Sequence, residues 1–143
     1  MNDDERVALV ERFWDALNER DFAAVGAMMS EQGHYIDVPL VGVEPGAYGP
    51  AQTEARLRLG IEPLSDYQLH PGTIVVTGET VITEHVEEWW WHDGEHAVVR
   101  FCSVMEVRGN KVDRWWDYVD LNSIFSVAPQ WWTEHIANGY QAD

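Results

Sequence analysis

Residues 80–91, TVITEHVEEWWW, and residues 111–121, KVDRWWDYVDL, decide the fold and hold the candidate chemistry. Both stretches are typical of strands, and residues two apart on a strand point to the same face, so His85 and Glu87 emerge together. If Asp117 of the second stretch faces them inside a tryptophan-lined pocket, two carboxyls and an imidazole share a space of low dielectric. Such a group performs acid–base chemistry on small molecules, because it can hold one carboxyl protonated while another stays charged.

Length and charge narrow the class of protein. A chain of 143 residues suits one domain, 1–143, with a single core. The sequence has 9 Lys and Arg against 25 Asp and Glu, a net charge of −16. A nucleic-acid binder needs the opposite sign, and an anionic membrane surface would repel this chain. We therefore expect neither partner.

The cysteine count and the chain start indicate a cytoplasmic protein. Cys102 is the single cysteine, so the chain forms no internal disulfide. The opening MNDDERV is acidic and lacks the basic-then-apolar order of a secretory signal. No apolar run approaches the ~18 residues that a membrane span requires.

Helices are predicted at both ends of the chain. Apolar residues spaced by three and four predict an amphipathic helix over residues 4–19. Asp21 is a good N-cap for a second, shorter helix. Pro50 is placed to open a third helix, which Gly60 could close. A last apolar helix is predicted around residues 131–136.

Strands fill most of the remaining chain. HYIDVPLV, residues 34–41, is a short strand, and residues 67–121 form a meander with turns at 78–79, 92–94 and 109–110. The order of helices, strand, helix and meander defines an α+β domain. A curved antiparallel sheet would wrap over the N-terminal helices and leave a conical cavity.

Aromatic side chains are expected on both faces of this sheet. Trp90 and Trp116 fall on the outer face, where exposed aromatics are costly unless covered, so we expect a homodimer. The aromatic inner wall fits a small apolar substrate. The residues predicted to contact that substrate are Trp89, Trp115, Trp14, Phe101, Ser103 and Met105.

The order of elements resembles a known superfamily. HYIDVP at residues 34–39, ahead of the third helix, and VDRWWDYVDL at residues 112–121 resemble the nuclear-transport-factor-2-like superfamily. Within it the chain is most similar to limonene-epoxide hydrolase and the SnoaL-like proteins, over roughly residues 5–125. The resemblance implies a conical, cystatin-like fold and a cofactor-independent enzyme of secondary metabolism. This scaffold hosts many activities.

The epoxide hydrolase resemblance implies specific roles. It places the water-activating carboxylate at Asp117 and the proton-donating acid at Glu87, where the family has aspartate. His85 replaces an arginine that bridges the two acids. Tyr35 and Asp37 take the places of a tyrosine and an asparagine that hold the water. The lost arginine matters, because a fixed cation lowers carboxylate pKa values and a histidine does so only when protonated.

A second enzyme class remains open. Asp37 also resembles the general base of ketosteroid isomerase, which lies just ahead of a proline, although Ser103 stands where that enzyme has an acidic donor. SnoaL-like cyclases use an acid–base pair of carboxyls, and Asp37 suits such a pair. Its second acid could come from Glu62 or Asp66. A contact between Asp117 and Glu87 favours the hydrolase, whereas one between Asp37 and His85 favours the cyclase or isomerase.

Each candidate also has an ordinary structural role. Asp117 and His85 fit hydrogen-bonded core positions, and Glu87 belongs to an acidic run typical of a solvated face. Asp37 fits a turn cap and Tyr35 fits strand packing. If all five play such roles, the protein is a non-catalytic ligand-binding or dimerisation module.

No metal or cofactor is expected. His85 and Glu87 could be combined with His92 and His96, but the spacing matches neither a zinc site nor a facial triad. The sequence also contains no nucleophile elbow and no phosphate-binding glycine loop.

Overall fold

The computed structural model describes residues 1–140, so the last three residues of the predicted domain lie outside the described part. The helices are α1 (Asp3–Asn18), α2 (Phe22–Met28), α3 (Gly49–Ile61), α4 (Asn122–Phe125) and α5 (Gln130–Ala137), with a 3₁₀ turn at Val38–Leu40. The strands are β1 (Met29–Asp37), β2 (Ala47–Tyr48), β3 (Asp66–Thr77), β4 (Thr80–Trp90), β5 (His96–Arg108) and β6 (Lys111–Val119).

The strands form one six-stranded sheet in the order β2-β1-β6-β5-β4-β3. The predicted α+β class with a curved sheet over N-terminal helices is confirmed. One pair departs from the antiparallel arrangement, because β1 and β6 run parallel. Parallel neighbours require a long crossover connection, and here α3 and the meander β3–β5 provide it. The pairing places Tyr35 opposite Trp115 and Asp37 opposite Asp117.

The helix boundaries follow from local capping. Asn2 and Glu5 form a capping box at the start of α1, and the Asp21 side chain accepts a hydrogen bond from the Ala24 N–H in α2. Helix α3 continues one residue past Gly60 to Ile61. Strand β2 and helix α4 are short elements that the sequence pattern did not predict.

Helix α1 fills the narrow part of the cone. Phe13 and Trp14 of α1 are almost fully buried and meet the indole of Trp115 edge-on, with ring centroids 4.8 and 5.8 Å apart. Burying each such side chain contributes about 1.5–3 kcal/mol. The packing holds β6, and therefore Asp117, in a fixed position.

Local partners partly cover the outer-face tryptophans. Trp90 stacks on His96 with centroids 4.7 Å apart. Trp116 donates its indole N–H to Nδ1 of His34 at 3.1 Å and lies under the guanidinium of Arg114. The homodimer that these tryptophans indicate stays a prediction. Within residues 1–140, no helix is long and apolar enough to span a membrane.

Candidate functional site

A cavity of about 790 Å³ lies between the concave face of the sheet, α3 and the two C-terminal helices. Four of the five predicted catalytic residues line it, namely Tyr35, Asp37, Glu87 and Asp117. His85 is buried behind the wall, against Glu87. The sheet therefore brings three carboxyl groups and a phenol into one chamber, as strand alternation predicted for Glu87 and Asp117.

The predicted substrate-contact residues divide into two sets. Trp89, Trp115 and Phe101 line the cavity. The other three, Trp14, Ser103 and Met105, are buried but lie outside the cavity wall. Alternation along a strand assigns a face but not a depth, and α1 covers the deeper part of this face.

Asp117 is buried and held by two donors. Its Oδ1 accepts hydrogen bonds from the Ser103 hydroxyl at 2.5 Å and from the Trp115 indole N–H at 2.8 Å. Burial raises the pKa of Asp117 well above its ordinary value, and the charges of Asp37 and Glu87 raise it further. The two hydrogen bonds oppose this rise but do not overcome it, so Asp117 holds a proton more tightly than an exposed aspartate does.

Asp37 stands at the end of β1, beside Asp117 on the neighbouring strand. Burial raises its pKa from 3.8 to about 6, with the charges of Glu87 and Glu44 adding to the rise. The guanidinium of Arg56 acts in the opposite direction. At neutral pH Asp37 is mostly ionised, yet it is more basic than an exposed aspartate.

Arg56 is a site residue that the sequence pattern did not reveal. It lies on α3, with Nη2 3.6 Å from Oδ2 of Asp37 and Nη1 in contact with Oε1 of Glu44. Its guanidinium carbon is 5.5 Å from the ring centre of Tyr35. The Gln52–Arg56–Gly60 spacing of four puts these residues on one helix face, but the sequence alone did not show that this face closes the cavity.

Glu87 forms a buried pair with His85. Its Oε2 lies 2.9 Å from Nε2 of His85, and its Oε1 accepts the indole N–H of Trp89 at 3.0 Å. His85 Nδ1 is buried and has no partner among the described residues. An orphaned N–H would be costly there, so the favoured tautomer has the ring N–H on Nε2, which donates to Oε2 of Glu87. The imidazole stacks on Phe101, with centroids 4.9 Å apart.

Two buried tyrosines border the carboxyl groups. Tyr35 stacks on Trp115 with ring centroids 3.8 Å apart. Burial, followed by the charge of Asp37, raises the pKa of the Tyr35 phenol well above its ordinary value. The sequence did not single out Tyr67. Burial and the charge of Glu87 raise the pKa of its phenol in the same way. Both phenols therefore remain neutral hydroxyl donors.

The two contacts expected to separate the enzyme classes are both absent. Among residues 1–140, no hydrogen bond joins Asp117 to Glu87 or Asp37 to His85. Each carboxyl group instead has its own partners, and the register places Asp37 beside Asp117. In the same part of the chain, no group of three or more His, Cys, Asp or Glu could hold a metal ion.

The sheet order and the cavity beneath it give the same fold as an NTF2-like protein of Burkholderia pseudomallei, which is 16% identical, with a TM-score of 0.72 over 89% of this chain and 98% of that one. The family model described as a SnoaL-like domain matches residues 10–115, and the chain belongs to that family. No curated protein shows significant sequence similarity to this chain.

Solved structures with the same fold carry several activities. An LEH-like epoxide hydrolase of M. tuberculosis is 24% identical, with a TM-score of 0.71 over 85% of this chain and 87% of that one. TerC, co-crystallised with polyporic acid, is 17% identical, with a TM-score of 0.74 over 86% and 97%. A Xanthomonas campestris protein, provisionally described as a polyketide cyclase, is 20% identical, with a TM-score of 0.72 over 89% and 98%. At these identities the likeness concerns the fold alone.

Proposed function

We propose that this protein is a cofactor-independent acid–base enzyme that opens an epoxide ring in a small apolar molecule, as a hydrolase or an epoxide-opening cyclase. The observation that carries the proposal is the pair Asp37 and Asp117, adjacent in register on the wall of an aromatic cavity. The likeness in fold to an LEH-like epoxide hydrolase is consistent with it. The homodimer and the cytoplasmic location remain predictions.

Epoxide opening requires one base and one acid acting together. A base removes a proton from water, or from a substrate hydroxyl in a cyclase, and the oxygen attacks an epoxide carbon. The carbon–oxygen bond of the ring breaks, and an acid protonates the departing oxygen. A positioned acid or base each contributes typically 10²–10⁴-fold.

The surroundings of the two aspartates support separate roles. We assign the acid's role to Asp117, whose pKa burial and the neighbouring charges raise well above its ordinary value, and the base's role to Asp37, whose pKa of about 6 leaves it mostly ionised at neutral pH. The family resemblance instead implied Asp117 as the base and Glu87 as the acid; in this proposal Asp117 takes the acid's role and Asp37 the base's. Each oxygen of Glu87 already has a partner, His85 or Trp89. Both donors to Asp117, by contrast, reach Oδ1 and leave its Oδ2 without a partner among the described residues, which favours Asp117 over Glu87 as the acid.

Glu87 and Tyr35 support this pair. The negative charge of Glu87 raises the pKa of Asp117 and so preserves the acid. Tyr35 lies on the cavity wall on β1, two residues before Asp37, and offers a neutral hydroxyl to the water or the ring oxygen. The cavity volume of about 790 Å³ falls within the range of small-molecule sites.

A cyclase or isomerase with Asp37 as base is the second candidate. The pKa of about 6 suits Asp37 to proton abstraction from carbon, and its place ahead of Val38 and Pro39 resembles that of the ketosteroid isomerase base. In this alternative Asp117 or Tyr35 would stabilise the resulting enolate. The likeness in fold to the provisional polyketide cyclase supports it at the same level as the first candidate.

A substrate panel distinguishes these candidates. The protein is incubated with epoxides, lactones and enones in H₂¹⁸O, and products are followed by mass. A diol carrying one ¹⁸O indicates hydrolysis, a ring-opened isomer without ¹⁸O indicates cyclisation, and deuterium exchange in D₂O indicates isomerisation. Turnover should fall strongly in Asp37→Asn and Asp117→Asn but not in Asp113→Asn, which changes a residue outside the cavity on the same strand as Asp117. Ligand binding without turnover would instead identify a binding module.

A further inference from the structure

The cation beside Asp37 is shared with a second carboxylate. Arg56 contacts Glu44 directly through Nη1, whereas Nη2 lies 3.6 Å from Oδ2 of Asp37. That second separation exceeds the 2.7–3.2 Å of a good N–H···O hydrogen bond. A guanidinium fork can bind a carboxylate through two parallel hydrogen bonds. Here its short contact goes to the loop residue and not to Asp37.

We propose that Glu44 is a positioning residue, which keeps Asp37 basic by holding the Arg56 guanidinium on the loop side of the cavity. This inference rests on the acid–base role proposed above for Asp37. An opposite charge within about 4–6 Å typically lowers the pKa of an aspartate by 1–3 units, and hydrogen bonds to the charged carboxylate lower it further. A direct hydrogen-bonded pair with Arg56 would therefore make Asp37 a poorer base near neutral pH. With the short contact of Arg56 made to Glu44, the Arg56 charge still lowers the pKa of Asp37, but burial outweighs it and the pKa is about 6.

Among the groups around Asp37, the side chain of Glu44 is the one that can move most readily. The charged and titratable groups around Asp37 and its Arg56 neighbour are Tyr35 from β1, Glu44 from the loop, Arg56 from α3, Glu87 from β4, Asp117 from β6 and Tyr140 after α5. Arg56 is the one cation in this set. Glu87 and Asp117 are fixed by hydrogen bonds within the sheet, whereas the side chain of Glu44 is 37% exposed on a loop. Solvent or a bound molecule can therefore change the Glu44–Arg56 contact most readily.

The test is a ¹³C NMR titration of the Asp37 carboxyl in the full, substrate-free chain, with the signal assigned by its loss in Asp37→Asn. Glu44→Gln should lower the pKa of Asp37 by about 1 unit, since Arg56 becomes free to bind it. Glu54→Gln is the matched control. This variant removes an equal charge from the exposed Glu54–Arg58 pair and should leave the pKa of Asp37 unchanged. Equal shifts in the two variants overturn the proposal.

A double-mutant cycle separates repositioning from simple charge repulsion. In an Arg56→Gln background there is no cation to release. Glu44→Gln should therefore lower the pKa of Asp37 much less than it does in the native chain. If Arg56→Gln does not fold, Arg56→Lys provides the same comparison. An ammonium lacks the forked geometry of a guanidinium, so Glu44→Gln should lower the pKa of Asp37 by a smaller amount in this background. Equal shifts in both backgrounds mean that Glu44 acts by its own charge, and the proposal fails.

The titration is independent of turnover. If the native protein turns over no substrate but Glu44→Gln lowers the pKa of Asp37 as predicted, the proposed function is refuted and the positioning role is supported. If the protein is active but Glu44→Gln leaves the pKa of Asp37 unchanged, the proposed function is supported and the positioning role is refuted.

Discussion

Asp37 and Asp117 are register partners across the parallel strand pair β1–β6. Neighbouring strands lie about 4.8 Å apart, so the two carboxyl groups start from backbone positions close enough to repel each other when both are charged. Both carboxyl groups are buried. Burial and the other negative charges of the cavity raise the pKa of each. The two groups therefore titrate as a coupled pair, in which the charge of Asp37 raises the pKa of Asp117.

This pairing predicts a bell-shaped dependence of kcat/KM on pH. Activity should rise as Asp37 loses its proton, with a midpoint near the pKa of about 6, and should fall at higher pH where Asp117 loses its own. The profile is measured with whichever substrate the panel identifies. In Glu87→Gln the alkaline limb should move to lower pH, because the charge that raises the pKa of Asp117 is gone. An unmoved alkaline limb contradicts the assignment of Asp117 as the acid.

The raised pKa of Asp37 also predicts how stability changes with pH. Between 3.8, its ordinary value, and about 6, the folded protein binds more protons at this site than the unfolded chain does. The free energy of unfolding should therefore fall as pH rises through this window, by up to about 3 kcal/mol from this group. The contribution is fully present below the lower value and lost above the upper one.

Urea unfolding at pH 4 and pH 7 measures this effect. Asp37→Asn should remove its share of the difference between the two pH values, because the amide does not titrate. Asp113→Asn serves as the control, since that residue lies outside the cavity. A native-like pH difference in Asp37→Asn would refute the burial argument.

Strand alternation predicted much of the site, because a period of two is insensitive to the rest of the fold. It placed Glu87 and Trp89 on the cavity side of β4 without knowledge of the neighbouring strands. It could not tell that His85, on the same face, lies too deep to reach the cavity. Depth depends on how far α1 extends under the sheet, and this is a property of tertiary packing.

Arg56 and the pairing of Asp37 with Asp117 escaped prediction for a related reason. Both depend on contacts between segments far apart in sequence. Arg56 meets Glu44 through a loop whose path no local pattern specifies, and an arginine on a helix is ordinarily solvent-exposed. The parallel pairing of β1 with β6 joins residues 80 positions apart, as in the Asp37–Asp117 partnership. The antiparallel meander, built from adjacent hairpins, carried local turn signals that this pair lacks.

The hydroxyl of Ser103 should stabilise the protein through Asp117. Ser103→Ala removes the 2.5 Å hydrogen bond to a buried carboxyl and should cost roughly 1–3 kcal/mol of unfolding free energy. It should also raise the pKa of Asp117 further, since that bond lowers it. Thr83→Val is the matched control, because the Thr83 hydroxyl is equally buried but has no hydrogen-bond partner in the described chain. Equal losses in the two variants would show that the Ser103 bond contributes nothing specific.

The buried pair of His85 and Glu87 should matter far more than its exposed counterpart on the same sheet. His85→Phe keeps an aromatic ring against Phe101 but removes the donor to Glu87. Leaving one partner of a buried pair without the other costs roughly 3–5 kcal/mol. His70→Phe is the matched control, because His70 contacts Glu88 at 2.7 Å on the outer face, where water compensates for the loss. Urea unfolding at pH 7 should show a large drop in stability for His85→Phe and little change for His70→Phe. Equal drops in the two variants would mean that burial does not set the strength of the inner pair.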